Sequence, residues 1–246
     1  MSVLIRSFLF YVYLVSITIL AAVFCVLITP FTSVEQRYAL VRCWSGLNLW
    51  MLDLVCNIQC RVLGMEHIHA CGTKPMILLS KHQSAWETIV YPYLFPKTLC
   101  FVSKRELLWL PFFGWALASL KMITINRGDR EAARADVAVQ GRERLAQGQW
   151  IAIFPEGTRT PRGSFKPYRK GGVRLAISTQ TDILPVAQNS GAIWPRKTFL
   201  KRPGLITLSI GPVISVAGKT EEQLQLEVEA WIEGEMRRLD PAAYVN

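Results

Sequence analysis

Met76-Ile77-Leu78-Leu79-Ser80-Lys81-His82-Gln83-Ser84-Ala85-Trp86-Glu87-Thr88 is the stretch from which the rest of the chain is read. Its four leading apolar residues predict a short buried strand. Apolar positions resume at Ile89 and Val90, and the Ser84 hydroxyl can cap a new helix, so His82 falls on a strand-to-helix turn. On one continuous helix a five-residue step rotates a side chain by roughly 140°, at about 3.6 residues per turn, and His82 and Glu87 would diverge. With the histidine on the turn and the glutamate in the first turns of the helix, they converge. A neutral imidazole so placed can take a proton from a hydroxyl, while a carboxylate on its other nitrogen fixes the tautomer and stabilises the imidazolium. The sequence has no Gly-x-Ser-x-Gly elbow. The hydroxyl to be activated then belongs to a bound substrate, which is the logic of a transferase.

Outward from this stretch, short apolar runs alternate with helical ones. The runs are 58–63, 76–80, 99–103, 122–125, 150–154, 183–187 and 205–210, and a helix is expected over 129–147. That alternation predicts an α/β domain with a largely parallel central sheet flanked by helices. A last helix is expected from Thr220, with Gln223 completing a capping box, to Pro241. Gly218-Lys219-Thr220 lacks the glycine a phosphate loop requires, since Val213 stands there.

Ser7 to Thr29 contains no charged residue and is long enough to cross a hydrocarbon core of about 30 Å. No small-residue cleavage site follows before Pro30, so the segment is expected to be retained. Residues 33–57 read as a second apolar or amphipathic helix, with Tyr38, Trp44 and Trp50 suited to the headgroup level. Residues 1–57 are therefore expected to form a membrane anchor of one spanning or two leaflet-inserted helices, and residues 58–246 the catalytic domain.

Half of the 246 residues are apolar (51%), and Lys and Arg outnumber Asp and Glu by 28 to 18, a net charge of +10. Anionic partners follow from that balance. No aromatic-basic strand signature of single-strand binders is present, so nucleic acid is not an expected partner. One basic group includes Lys166, Arg169, Lys170 and Arg174. The other, Arg196, Lys197, Lys201 and Arg202, reads as a solvated surface on the cytoplasmic side of a membrane. The six cysteines form no Cys-x-x-Cys pair, as in a reducing compartment. Glu66, His67 and His69 lack a second ligand cluster, and no metal site is expected. Lys104 to Gly114 leads from charge into a bulky apolar patch broken by Pro111, which the residues alone read as a buried kinked helix.

Three further blocks complete a pattern: Ile123-Thr124-Ile125-Asn126-Arg127, Phe154-Pro155-Glu156-Gly157-Thr158-Arg159, and Ile183-Leu184-Pro185-Val186. In this order after His82, over roughly residues 60 to 215, they resemble the glycerolipid acyltransferase family, in particular its bacterial 1-acylglycerol-3-phosphate acyltransferases. Where that family has aspartate five residues after the histidine, this chain has Glu87, one methylene longer with the same charge.

The resemblance implies transfer of an acyl group from a thioester of acyl carrier protein or coenzyme A to the sn-2 hydroxyl of lysophosphatidic acid, giving phosphatidic acid. It implies no cofactor beyond that co-substrate, and a bacterial inner membrane with the catalytic domain on its cytoplasmic face, among membrane phospholipids. His82 and Glu87 would be catalytic. Lys104, Arg127 and Arg159 would clamp the phosphate, beside Gly157 and Thr158. Glu156 would hold an arginine or bond the glycerol, the apolar surface after Lys104 would border lipid or acyl chain, and Pro185 would line the acyl-donor side. Another lysolipid acceptor, or a non-catalytic lipid-binding protein, are the alternative readings.

Overall fold

The computed structural model describes residues 1–126 and 128–245. Two long helices open the chain, α1 (Val3–Leu27) and α2 (Val34–Cys56), joined by a 3-10 turn at Thr29–Phe31. There follow β1 (Ile58–Leu63), α3 (Met65–Ala70), β2 (Ile77–Ser80), α4 (Trp86–Leu94), β3 (Leu99–Lys104), α5 (Phe113–Ser119) and β4 (Ile123–Ile125). The second half adds α6 (Arg130–Ala146), β5 (Trp150–Ile153), α7 (Gly171–Thr179), β6 (Ile183–Gln188), α8 (Ser190–Ile193), β7 (Gly204–Ile210) and α9 (Glu221–Leu239). Each of the apolar runs in the sequence is a strand. The seven-stranded sheet has the order β1-β7-β6-β2-β5-β3-β4, parallel throughout except where β6 meets β7.

β2 lies in the middle of that order, and all four of its residues are buried. Strands covered on both faces read as continuous apolar runs rather than alternating ones, which is why Ile77-Leu78-Leu79 carries no polar partner face. In parallel open sheets, ligands gather outside the carboxyl ends of the strands. His82 follows the end of β2 and therefore stands near the centre of that edge.

The helix boundaries follow from local chemistry. Ser33 with Gln36, and Thr220 with Gln223, form reciprocal capping boxes at the starts of α2 and α9, and Asp129 caps α6. Thr220 thus serves as a helix cap, not part of a phosphate loop.

α1 and α2 are both long and apolar enough to cross a membrane by length and composition. They fold back on one another, Trp44 Nε1 donating to Thr18 Oγ1 at 3.1 Å. The pair is not free of the rest. Ser7 Oγ accepts from the Lys201 backbone at 2.8 Å, Phe10 meets Trp194 edge-on, and at the other end Cys25 Sγ lies 3.4 Å from Ser119 Oγ. Arg37 donates to the Ser119 carbonyl at 2.8 Å. Phe10, Tyr38, Leu52 and Cys56 belong to the same buried cluster as the sheet. The remaining face of α1, including Phe8, Val12, Leu20 and Phe24, is exposed.

Candidate active site

The Ser84 hydroxyl accepts from Trp86 N at 3.1 Å, and this turn brings Glu87 back under His82. The His82 Nδ1 to Glu87 Oε2 distance is 3.1 Å. Glu87 is wholly buried, and its carboxylate is fully engaged. Oε1 accepts from Gln83 N (3.1 Å), Ser84 N (2.8 Å), Gln188 Nε2 (2.7 Å) and Ser190 Oγ (2.7 Å). Held by that many donors, the carboxylate is an acceptor fixed in place. It therefore takes the proton side of Nδ1, leaving the Nε2 lone pair as the basic position.

The rest of His82 is held as tightly. Its ring stacks on Phe154 with centroids 3.8 Å apart, and its side chain keeps 12% of its surface exposed. Its backbone N–H donates to Glu156 Oε2 at 2.8 Å, and its carbonyl accepts from Thr160 N at 2.7 Å and Thr160 Oγ1 at 3.1 Å. The turns after β2 and β5 are thereby stitched together.

These contacts correct the expectation for Glu156. It is wholly buried, bonded to Lys81 Nζ at 2.9 Å and to Thr160 Oγ1 at 3.0 Å, and faces neither an arginine nor the cavity. Lys81, also fully buried, reaches Glu233 of α9 at 2.7 Å, where Tyr168 Oη donates to the same oxygen at 2.7 Å. Burial pulls the Lys81 pKa down, but Glu156 and Glu233 outweigh it and leave it above the usual lysine value. The Glu156 pKa stands above the ordinary carboxylate value because burial outweighs the help of Lys81. The two shifts agree physically: one ammonium shared by two carboxylates leaves a surplus negative charge in the interior.

In front of His82 opens a cavity of about 760 Å³. Of the predicted residues, His82, Lys104, Gly157, Thr158 and Arg159 line it. Gly157 has a positive φ of 70°, which favours glycine, and the Arg169 guanidinium lies where a Cβ would come within 2.9 Å of it. Arg127 lies outside the described residues. Pro185 is buried in β6 away from the cavity, beside Gly211, whose N–H its carbonyl accepts at 2.9 Å. It sits where the β7 ladder begins, one residue before Val186, so its missing N–H breaks no bond to that neighbour. The expectation of an acyl-donor lining there is not met.

Eight of the described residues lining the cavity are lysine or arginine, and none is aspartate or glutamate. The sequence reading missed much of this. Arg196 and Lys197, read as solvated surface, line the cavity, Arg196 donating to the Arg159 carbonyl at 2.6 Å. Lys201 of the same group is buried among Phe10, Trp194 and Phe199, and that burial lowers its pKa. Charge runs signal solvation by default; only the return of the chain after α8 reveals otherwise. Phe101, Val102, Leu107 and Val137 supply an apolar wall beside the cations. Lys104 to Gly114 is not a buried helix. It forms a 3-10 turn at Arg105–Trp109, then leads into α5, with Trp109 83% exposed.

A buried carboxylate orienting a mostly covered imidazole at the mouth of a cation-lined, partly apolar cavity defines a group-transfer enzyme for an anionic, lipid-like substrate. The comparisons with known proteins specify the group. A family model described as Acyltransferase matches residues 59–189. The chain is 39% identical over 241 residues to the 1-acyl-sn-glycerol-3-phosphate acyltransferase of Pseudomonas aeruginosa, with 96% of this chain and 92% of that one covered. It is 28% identical over 186 residues to the enzyme of the same name from Borreliella burgdorferi, covering 75% and 71%. Its fold is like the crystal structure of the 1-acyl-sn-glycerophosphate acyltransferase from Thermotoga maritima, with a TM-score of 0.79 and 22% identity over 96% and 95% of the two chains. The chain belongs to the acyltransferase family.

Proposed function

We propose that this enzyme transfers an acyl group from a thioester donor to the sn-2 hydroxyl of 1-acylglycerol-3-phosphate at a membrane surface. The observation that carries the reading is the His82–Glu87 pair opening onto a cavity walled by cations and apolar side chains. A lysophosphatidic acid needs those three things: a base at its hydroxyl, cations at its phosphate and an apolar wall for its tail. The names of the relatives from Pseudomonas aeruginosa and Borreliella burgdorferi support the same acceptor.

In the step we infer, His82 Nε2 removes the hydroxyl proton as the oxygen attacks the thioester carbonyl carbon. A new C–O bond forms, the C–S bond breaks, and the imidazolium returns the proton to the departing thiolate. Glu87 holds the tautomer and stabilises the imidazolium while it exists. Arg159, Lys104 and Thr158, with Arg127, are the proposed phosphate ligands, and Gly157 lets Arg169 close on the same turn. The donor is the thioester of acyl carrier protein or coenzyme A.

The attachment of α1 supports a lying rather than an upright arrangement. It touches the catalytic domain at Ser7 and again at Cys25, a span of roughly 27 Å at 1.5 Å per residue. A helix crossing upright would drag that flank of the domain through most of the hydrocarbon, about 30 Å thick. We therefore read α1 and α2 as inserted in one leaflet, with the catalytic domain on the cytoplasmic face of the bacterial inner membrane. The free cysteines and the basic surface are consistent with that side.

The deciding experiment supplies the protein in detergent with lysophosphatidic acid and each thioester donor, and follows thiol release and phosphatidic acid formation. Thiol release that depends on lysophosphatidic acid is expected; release that is indifferent to it would sink the reading.

A further inference from the structure

The cavity wall carries more positive charge than one acceptor uses. A phosphate monoester bears at most two negative charges, against eight lining cations. Two of these are satisfied elsewhere, Lys170 by Glu222 at 2.7 Å and Arg174 by Glu221 at 2.9 Å. The others have no carboxylate partner within 4.0 Å among the described residues. A wall of uncompensated charge with no acid on it is costly to the fold and calls for anionic ligands.

Where the ligands' charges fall follows from the reaction proposed above, on which this inference rests. The acceptor's phosphate is one glycerol carbon away from the hydroxyl at His82, so its partners must lie on the turn bonded to His82 itself. Arg159 meets that condition, because the neighbouring Thr160 is bonded to the His82 carbonyl. The donor is built differently. Its thioester must reach His82, but its own phosphate is a full pantetheine arm away and therefore falls towards the rim.

Arg196 and Lys197 follow β6 and α8, whereas Arg159 and Lys104 follow β5 and β3, and β6 and β5 flank β2 on opposite sides. Arg196 is tied inward by its bond to the Arg159 carbonyl, which fixes the segment. Lys197 is exposed on the cavity wall and has a φ of 59°, in the left-handed region that a lysine seldom occupies. Such conformations persist where the surroundings impose them and cluster at ligand clamps.

We propose that Lys197, on the segment that Arg196 anchors, is a second anion site, which binds the phosphate ester at the far end of the donor's pantetheine arm. That group is common to coenzyme A and to a phosphopantetheinylated carrier protein.

The test compares acyl-pantetheine with acyl-phosphopantetheine as donors to lysophosphatidic acid, using the full-length protein in detergent. Acyl-coenzyme A and acyl carrier protein run beside them to tell which source of the arm the enzyme prefers. Lys197→Asn suits the purpose, because asparagine tolerates a positive φ and keeps the backbone. A charge-assisted contact to phosphate predicts that wild type favours the phosphorylated arm by about tenfold or more in kcat/KM. In Lys197→Asn that ratio falls to near unity, in Lys197→Arg it returns, and KM for lysophosphatidic acid stays put. A ratio unchanged in Lys197→Asn, or a loss expressed as a raised KM for lysophosphatidic acid, overturns the site. If wild type acylates lysophosphatidic acid from none of these donors, it is the underlying substrate reading that has failed.

Discussion

His82 is held by its ring, its N–H and its carbonyl at once, by Glu87 and Phe154, Glu156, and Thr160 respectively. Its replacement by alanine removes the base but leaves the backbone bonds in place. His82→Ala should therefore fold normally and lose about two to four orders of magnitude in kcat, the usual range for a general base; circular dichroism and thiol release check both halves. Glu87 offers a finer comparison. Glu87→Gln can keep its carbonyl oxygen where Oε1 meets Gln83, Ser84, Gln188 and Ser190, but this turns its NH2 onto His82 Nδ1 and Ser84 N, so it should cost at least about a hundredfold. Glu87→Asp keeps the charge but withdraws it by one methylene, and a loss of about tenfold is expected. A Gln variant as active as the Asp variant would show that charge and acceptor count do not matter here. The pair itself was legible, because a five-residue spacing across a strand-to-helix turn is a local signal. Gln188 and Ser190, which pin the carboxylate, are 101 and 103 positions further on, and no local spacing could announce them.

At the scale of elements, the strands were readable because burial on both faces writes itself as apolar runs. Their order was not, since parallel neighbours are set by crossovers and not by sequence proximity. The same limit hid the role of α9, whose Glu233 reaches Lys81 at the end of β2. Arg162 also binds Asp240 beyond α9 through two bonds of 2.6 Å each, so the far end of the chain braces the segment after β5. The charge surplus in the Lys81 cluster makes a signed prediction. Lys81→Met leaves Glu156 and Glu233 buried without a cation and should destabilise by about 3–5 kcal/mol. Glu233→Gln keeps an oxygen for Lys81 and Tyr168 while removing the surplus charge, so its Tm should be unchanged or higher. Thermal melts of the two variants falling together would refute the charge count. Gly157→Ala tests the turn itself. Its φ of 70° and the nearby Arg169 guanidinium both oppose a Cβ, and the expected cost is about 1–3 kcal/mol of backbone strain with a raised KM for the acceptor.

For the whole molecule the question is how a cavity open to water receives a substrate dissolved in lipid. The exposed apolar face of α1, with Leu20, Phe24 and Leu27, does not end at the helix. α5 packs against the end of α1 through Ser119, and the segment before α5 presents Trp109, Leu110 and Phe112, while Leu107 of the same segment lines the cavity. Phe112 sits at a φ of 61° and ψ of −60°, where Phe113 N bonds back to the Pro111 carbonyl at 2.7 Å. A positive-φ turn of this kind is strained for a non-glycine residue, and here the strain holds an aromatic ring outward. Tryptophan and phenylalanine beside Lys104 and Arg105 suit the headgroup level of an anionic bilayer. We predict that this segment meets the membrane together with α1, so that a lysolipid passes along Leu107 into the cavity without crossing bulk water. Trp109→Ser should weaken partitioning onto phosphatidylglycerol vesicles by about tenfold, the scale of one large apolar side chain withdrawn from lipid. It should lower activity on lysophosphatidic acid presented in vesicles by a similar factor, while activity in detergent micelles, where substrate and protein share one small particle, falls much less. Equal losses in both media would mean that Trp109 shapes the site and not the approach to it.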